Sequence, residues 1–325
     1  MNRSYGNEGW YRKEGLLNDN SKQNLFPFLS QSLFSGKHTT TYKYCFLKSI
    51  LDNLYSFNEA FEISFEVIGE TFASIYWNMI VVHKIPQMTD YLTGEMSVFE
   101  RITSDIIKDK PYLDGIHYES INKDDKLVFL KKAIPEFSKN FIGAFYNDTS
   151  GMIYGFSKKE RKIWLNSFSF NFLSENKTII EQVNFYQWLK MVDRILKSNH
   201  KNIDNLSTIL EEIIRRSDLT FFKNQLEKIG EQRVCFYCNK KLGKSAHLDH
   251  VIPWDFIKSD DLWNFVFSCP SCNSSKSNSI PDIEYLDKLI QRNKTKAIKS
   301  PNIHDVANAA RLNGIRCGWK PKEHL

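Results

Sequence analysis

Four of the six cysteines fall in two Cys-x2-Cys pairs, a spacing that is typical of a metal site. Cys235 and Cys238 form the first pair, and Cys269 and Cys272 form the second. Thiolates two residues apart in a tight turn can both bind one Zn²⁺ at about 2.3 Å, and two such turns complete a tetrahedron. The pattern predicts a structural zinc site. A redox pair, or a site that has lost its metal, is the alternative.

A second group of residues between and after the cysteine pairs could bind a cation and move a proton. The chain runs His247-Leu-Asp-His250-Val-Ile-Pro, continues to Asn264, and closes with Asn273-Ser-Ser-Lys276. This order resembles the signature of the HNH endonuclease family. In that signature an acidic residue precedes a His, followed by I/V-x-P, a central Asn and a final C-x2-C-N-x2-K. The resemblance covers residues 234–281 and leaves the rest of the chain unassigned.

The resemblance implies a ββα-metal fold and a role for each matching residue. Asp249 and Asn273 would hold a catalytic Mg²⁺ or Mn²⁺, and His250 would be the general base. Asn264 would orient the region around the base, and Lys276 would face the substrate phosphate. The implied reaction is hydrolysis of a DNA phosphodiester bond, which leaves 5′-phosphate and 3′-hydroxyl ends.

The chemistry of these residue types agrees with that reaction. Phosphodiester hydrolysis needs a deprotonated water and neutralisation of the charge that builds on the phosphate and the leaving oxygen. A hard divalent cation prefers oxygen ligands, which Asp249 and Asn273 offer. A neutral histidine with an ordinary pKa near 6.5 can accept a proton close to neutral pH. Neighbouring side chains in a strand alternate between faces, whereas Asp249 and His250 must converge on one site, so we expect this pair at a strand end or bend.

Other roles remain open for individual residues. His247 could be a further metal ligand or a residue that holds the ligands in place by a hydrogen bond. Asn264 could be a structural cap or turn residue. Outside this framework, Asp249 and His250 would be an ordinary surface pair.

Positive charge is concentrated at the C-terminal end. The net charge is +6, and residues 226–325 hold 16 Lys and Arg against 11 Asp and Glu. Such an excess near the metal-binding residues is expected of a module that meets a phosphate backbone. Lys288, Arg292, Lys294 and Lys296 have no acidic residue between them and, with Lys276, are the predicted nucleic-acid-binding residues. A solvated helix end is the alternative.

Length and periodicity predict an α+β fold with two domains. At 325 residues the chain exceeds the usual size of one hydrophobic core. We predict a mainly α-helical domain over 1–225 and a small ββα-metal domain with a structural zinc over 226–325. The first forty residues are expected to be an irregular arm, and 152–172 to hold a short β-hairpin. Apolar residues recur at helical spacing in the following segments: 44–55, 65–81, 125–133, 183–196, 206–216 and 220–229.

The sequence favours an enzyme in the cytosol of a bacterium. No apolar run is long enough to span a membrane, and the N-terminus is polar. We expect a restriction or phage-defence DNA endonuclease, whose N-terminal domain recognises a sequence, receives a signal or binds a partner protein. Cutting both strands would need a homodimer, a second site or two sequential nicks.

A non-catalytic zinc module that binds nucleic acid is the alternative function. It would explain the cysteines and the basic residues, and the N-terminal domain would then be a protein-interaction platform. It would not explain why Asp249, His250, Asn264, Asn273 and Lys276 all occupy nuclease positions.

Overall fold

The structure is a computed structural model that divides into two compact units. One unit takes its residues from 1–173 and 179–215, and the other from 174–178 and 216–325. The predicted division between residues 225 and 226 stays a prediction. The described residues are 13–19, 23–34, 40–88, 96–213, 219–243 and 246–321.

The first unit is built mainly of helices with buried apolar faces. In α2 (Tyr42–Asp52) every residue from 43 to 51 is buried. The ring of Phe46 in this helix lies 5.5 Å from that of Phe137, in a core rich in aromatic side chains. The expected character of this region, mainly α with minor β, is confirmed. The other helices are α1 (Phe26–Phe34), α3 (Phe65–Trp77, continued by a π-helical turn, Asn78–Val82), α4 (Val98–Asp109), α5 (Lys123–Asp148), α6 (Ser167–Glu175), α7 (Lys177–Ser198) and α8 (Leu206–Ile213).

A small antiparallel sheet completes this unit, with strand order β1-β3-β4-β2. The strands are β1 (Glu14–Gly15), β2 (Glu62–Ser64), β3 (Gly155–Ser157) and β4 (Lys162–Trp164). β3 and β4 form the hairpin predicted within 152–172.

Two helices replace structure that the sequence predicted otherwise. The expected irregular arm contains α1; Leu29 and Leu33 in this helix and Leu25 just before it are buried at a spacing of four residues. Residues 1–12, 20–22 and 35–39 lie outside the described residues. α6 begins within the segment 152–172, for which the sequence predicted β structure, because the side chain of Asn166 accepts a hydrogen bond from the Ser169 amide at the helix start.

The second unit contains two short sheets and five helices within the described residues. β5 (His247–His250) pairs antiparallel with β6 (Phe265–Ser268), and α11 (Pro270–Lys276) follows, which gives a ββα arrangement. The α+β fold class is therefore confirmed. The remaining elements are α9 (Thr220–Lys228), α10 (Trp254–Ile257), a 3₁₀ turn (Leu262–Asn264), α12 (Ile283–Thr295), α13 (Ile303–Leu312), and β7 (Ser279–Pro281) paired in parallel with β8 (Arg316–Trp319).

A compact apolar core supports the β5-β6 pair. Leu226 of α9 packs with Ala246, Phe265 and Phe267, and the Phe222 ring lies 4.8 Å from that of Phe265. The apolar cluster thus joins α9 to the β5-β6 pair. Over the described residues, no helix is long and apolar enough to cross a membrane.

A buried lysine makes the stability of the first unit depend on pH. Lys43 of α2 is fully buried, and its amine donates to the Ser32 carbonyl. Burial lowers the pKa of Lys43 to about 7, although Asp148 opposes that shift. Between this pKa and the ordinary value of about 10.4 the unfolded chain binds more protons than the folded chain, so stability rises with pH across that window.

We predict that Lys43→Met removes this pH dependence. The stability of the variant relative to wild type should fall as pH rises from 7 to 10, with a slope of up to about 1.4 kcal/mol per pH unit. Urea unfolding at several pH values measures it. Lys197→Met, at an exposed lysine of α7, is the matched control. Parallel curves for wild type and Lys43→Met would contradict the prediction.

Candidate metal centre and active site

The four predicted zinc ligands come together in the second unit. The sulfur atoms of Cys235, Cys238, Cys269 and Cys272 all lie within 4.8 Å of one another. Four thiolates at about 2.3 Å from one tetrahedral ion lie about 3.8 Å apart. The Cys238 and Cys269 sulfur atoms are 3.8 Å apart. The cluster therefore fits Zn²⁺, and the fit rests on sulfur geometry alone.

Local backbone structure presents the thiols. The Cys235 amide donates to the Lys240 carbonyl, and the Asn239 amide donates to the Cys235 carbonyl, which closes a tight turn around the first pair. Cys269 is the N-cap of α11 and accepts a hydrogen bond from the Cys272 amide. Burial raises the pKa of both Cys238 and Cys272, so these two thiols favour the protonated form until a cation compensates the thiolate charge. In Cys269, burial is outweighed by hydrogen bonds, the first of them from the Cys272 amide, and the pKa is lowered.

β5 separates the candidate catalytic residues onto two faces. Alternate side chains point to opposite sides of a strand, so His247 and Asp249 share one face and His250 takes the other. His250 is the last residue of β5, and the chain bends at Val251 and Ile252. This is the strand-end position that the sequence predicted for the Asp-His pair, but the two side chains lie on opposite faces of β5 and do not converge as the sequence led us to expect.

Asp249 is nearly buried and receives two hydrogen-bond donors. The Tyr237 hydroxyl donates to its Oδ2 atom at 2.6 Å, and the Lys276 amine lies 3.3 Å from the same oxygen and 3.4 Å from Oδ1. Burial and the Asp249 charge raise the pKa of Tyr237 well above its usual value, so the phenol is the donor. Asp249 itself is 8% exposed.

Lys276 lies inside the unit, whereas the resemblance had placed it against the substrate phosphate. It is only 1% exposed, and its amine donates to the His250 carbonyl at 2.7 Å. Burial lowers the pKa of Lys276, and the charge of Asp249 opposes that shift. The amine therefore joins α11 to the end of β5.

Asn273 meets His247 at the exposed edge of the same face. The Asn273 Nδ2 atom lies 3.2 Å from His247 Nδ1, so the amide N–H donates to the ring nitrogen. This leaves the Asn273 Oδ1 atom as the group that can ligate a cation. The contact favours the role of His247 as a residue that holds a ligand in place, while its other ring nitrogen remains a potential ligand atom.

His250 is buried among different partners from those of Asp249. Its Nε2 atom lies 2.9 Å from Asp260 Oδ1, and its ring centroid lies 4.1 Å from that of Phe265. The residue is 3% exposed. The structure therefore brings His247, Asp249, Asn273 and Lys276 to one side of β5 and directs the His250 imidazole to the other.

Asn264 braces the chain that follows His250. Its side-chain amide accepts from the Ile252 amide and donates to the Ile252 carbonyl, both at 2.8 Å, and its own carbonyl accepts from Val251. Asn264 is fully buried. It acts on the His250 region through the backbone, which agrees with an orienting role and with a structural one.

Four of the five basic residues of the predicted DNA-binding set, Lys276 among them, donate to carbonyl groups of the unit. Lys288 reaches the Phe236 carbonyl, Arg292 the Trp263 carbonyl and Lys296 the Ile229 carbonyl. Lys294 is exposed. The DNA-binding role of the set stays a prediction.

Two residues of this site were missed by sequence reasoning. Tyr237 lies between two cysteine ligands, where no family signature marks it. Asp260 belongs to the acidic pair that follows the His250 segment, so an acid near the base could have been suspected. Its pairing with His250 became visible only in the fold.

Comparison with known proteins identifies a family for one segment of the chain. Residues 235–279 match the family model described as HNH endonuclease. No curated protein and no solved structure matches the chain. The segment that matches contains the four cysteines, β5, β6 and α11, so the expected resemblance is confirmed for this part of the chain.

We predict that the cysteine cluster holds one zinc ion per chain. Cys269→Ser should lower the zinc content and speed amide exchange in β5 and β6, because the two cysteine turns lose their common ligand. Cys317→Ser is the matched control, since Cys317 lies outside the cluster. Elemental analysis and hydrogen exchange measure the two effects. Full zinc content in Cys269→Ser would contradict the prediction.

We also predict that Asn264→Ala destabilises the second unit. The substitution leaves the buried amide and carbonyl of Ile252 without partners, at a cost of about 2 to 4 kcal/mol. Asn273→Ala, on an accessible part of α11, should change stability much less. Urea unfolding of zinc-loaded proteins compares the two variants. Equal losses in both would count against the bracing role.

Proposed function

We propose that the protein is a metal-dependent DNA endonuclease whose active site lies on β5 and α11. One observation carries this proposal. In the segment that matches the HNH endonuclease family, the fold gathers His247, Asp249 and Asn273 on one side of a strand beside a cysteine cluster suited to zinc. His247 and Asn273 lie at the exposed edge of this group, and the Asp249 carboxylate is nearly buried.

Asp249 and Asn273 hold the catalytic cation in this proposal. A carboxylate and an amide oxygen are the donors that Mg²⁺ or Mn²⁺ prefers. The hydrogen bond to His247 fixes the amide nitrogen of Asn273 and so directs its oxygen away from the ring. When bound, the cation would supply positive charge to the phosphate and the leaving oxygen.

His250 is the proposed general base, and Asp260 supports it. A carboxylate that accepts from one ring nitrogen fixes the tautomer and orientation of an imidazole, and it stabilises the positive charge that the ring gains with a proton. The 2.9 Å approach of Asp260 Oδ1 to His250 Nε2 gives this arrangement. Asn264 holds the backbone of Ile252, two residues after His250, by two hydrogen bonds.

A role in restriction or phage defence is the finer proposal. One HNH site cuts one strand at a time, so cleavage of both strands requires a homodimer, a second site or two nicks. The helical unit would then recognise a DNA sequence, receive a signal or bind a partner protein. Sequencing the ends produced from a mixed DNA library would test sequence specificity and strand count together.

A zinc-dependent nucleic-acid-binding module without catalysis is the second candidate function. The burial of His250 and the pairing of Asp249 with Lys276 favour it, because both groups already have protein partners. The two functions differ in whether phosphodiester bonds are cut, so a cleavage assay separates them.

We predict that wild-type protein nicks plasmid DNA with Mg²⁺ or Mn²⁺ and that His250→Ala lowers the rate by about 10² to 10⁴. The loss follows from removing the group that takes the proton from water. Gel analysis of supercoiled plasmid measures the rate, and zinc content shows that the variant keeps its cysteine site. His247→Ala should lower the rate less, because it retains the base.

His304→Ala is the matched control, since His304 is exposed and its ring pairs with Asp287 outside the site. It should cut as wild type does. An active His250→Ala would remove this residue from the role of base. If wild type nicks none of several DNAs with either metal, the binding-module function replaces the nuclease.

A further inference from the structure

We propose that the Tyr237 hydroxyl is a positioning group for Asp249 and that it couples the first cysteine turn to the cation site. The inference rests on the proposed function, in which Asp249 binds the catalytic cation. Tyr237 is itself neither a zinc ligand nor a residue of the proposed catalytic set. Its hydroxyl reaches Asp249 at 2.6 Å, the shortest of the hydrogen bonds recorded for that carboxylate.

The carboxylate needs such a group because its own torsion is soft. The terminal torsion of an aspartate has broad, roughly two-fold preferences, so the strand alone does not fix where the two oxygens point. Tyr237 holds Oδ2 at 2.6 Å, while the Lys276 amine lies at 3.3 Å or more from either oxygen. The tyrosine bond therefore sets the orientation, and Oδ1 is the oxygen with more freedom to bind a cation.

Tyr237 is well placed to impose an orientation because it cannot move freely. It lies between Cys235 and Cys238 in the turn that presents two of the thiols. Its ring centroid lies 5.0 Å from that of Trp319 and 5.5 Å from that of Tyr285, and the residue is 3% exposed. A zinc ion that fixes the cysteine turn thus also fixes the hydroxyl.

The donor is also neutral, which matters for a site that must accept a cation. Lys276 holds Asp249 with a positive charge, and that charge opposes a second cation nearby. The phenol orients the carboxylate without this repulsion. Hydrogen-bond partners behind a metal ligand commonly change metal affinity by about 10- to 100-fold when they are removed.

The test is Mn²⁺ binding to the zinc-loaded full-length chain, followed by the electron paramagnetic resonance signal of free Mn²⁺. Tyr237→Phe removes one oxygen and keeps the ring. It should raise the Kd for Mn²⁺ by about 10-fold or more. Tyr285→Phe is the matched control, because it removes a hydroxyl from the same aromatic group without touching Asp249. Asp249→Asn should abolish the binding.

The Mg²⁺ dependence of the nicking rate is a second measurement. It distinguishes a positioning role of the hydroxyl from a general loss of packing around Tyr237. In Tyr237→Phe the Mg²⁺ concentration for half-maximal rate should rise, and the rate at saturating Mg²⁺ should recover most of the wild-type value. In an Asp249→Asn background, Tyr237→Phe should have no further effect on Mn²⁺ binding or nicking, because the tyrosine acts through that carboxylate.

Each result separates the inference from the function on which it rests. Wild-type Mn²⁺ affinity in Tyr237→Phe, together with loss of binding in Asp249→Asn, overturns the positioning role and leaves the proposed function intact. Loss of zinc from Tyr237→Phe but not from Tyr285→Phe also overturns it, since the hydroxyl would then serve the cysteine site. Unchanged binding in Asp249→Asn removes the cation site and the inference with it.

Discussion

Convergence of four thiols is the constraint on which the C-terminal unit depends. A small apolar cluster lies beside the β5-β6 pair of this unit, with four buried side chains and partly buried ones packed against them. The two cysteine turns of the unit are far apart in sequence, and only a shared cation would hold their thiolates together against mutual repulsion. Each turn also carries a residue of the proposed active site. Tyr237 lies within the first turn, and Asn273 directly follows the second.

The alternation of side chains along a strand explains why the site has two parts. Asp249 and His250 are adjacent in β5, so their side chains point to opposite faces. Asp249 bonds to Tyr237 and Lys276, while His250 bonds to Asp260. The Lys276 amine bridges the two, since it also holds the His250 carbonyl. A cation and a base arranged in this way would approach a phosphate from two sides of the strand end, with α11 on one side and the 250–264 segment on the other.

The sequence predicted those parts that local chemistry determines. Metal-ligand spacing predicted the cysteine cluster, and periodicity predicted α2, α3 and the β3-β4 hairpin. The segment 152–172 was expected to be β structure, but Asn166 caps a helix in its second half. Tyr237 and Asp260 were missed because a hydrogen bond between side chains far apart in sequence leaves no periodic or spacing signal. Burial of Lys276 was also missed, since a lysine is almost always solvated and its partner came from another element.

The basic residues of α12 show why formal charge and contact surface differ. Lys288 and Arg292 lie four residues apart, so they share one face of the helix, and they donate to carbonyl groups of the unit, as does Lys296 directly after the helix end. A carbonyl satisfies a donor but carries no net charge, so each cation keeps its full positive charge. The excess of basic residues over 226–325 therefore still gives the unit a positive field that attracts a polyanion over a distance, weakening as salt rises. Direct bonds to phosphate, in contrast, need donors that are unoccupied or can exchange partners. For these residues, long-range attraction of a polyanion and direct hydrogen bonding to phosphate are thus separate properties. Only the long-range attraction can be predicted from the number of charges in the sequence.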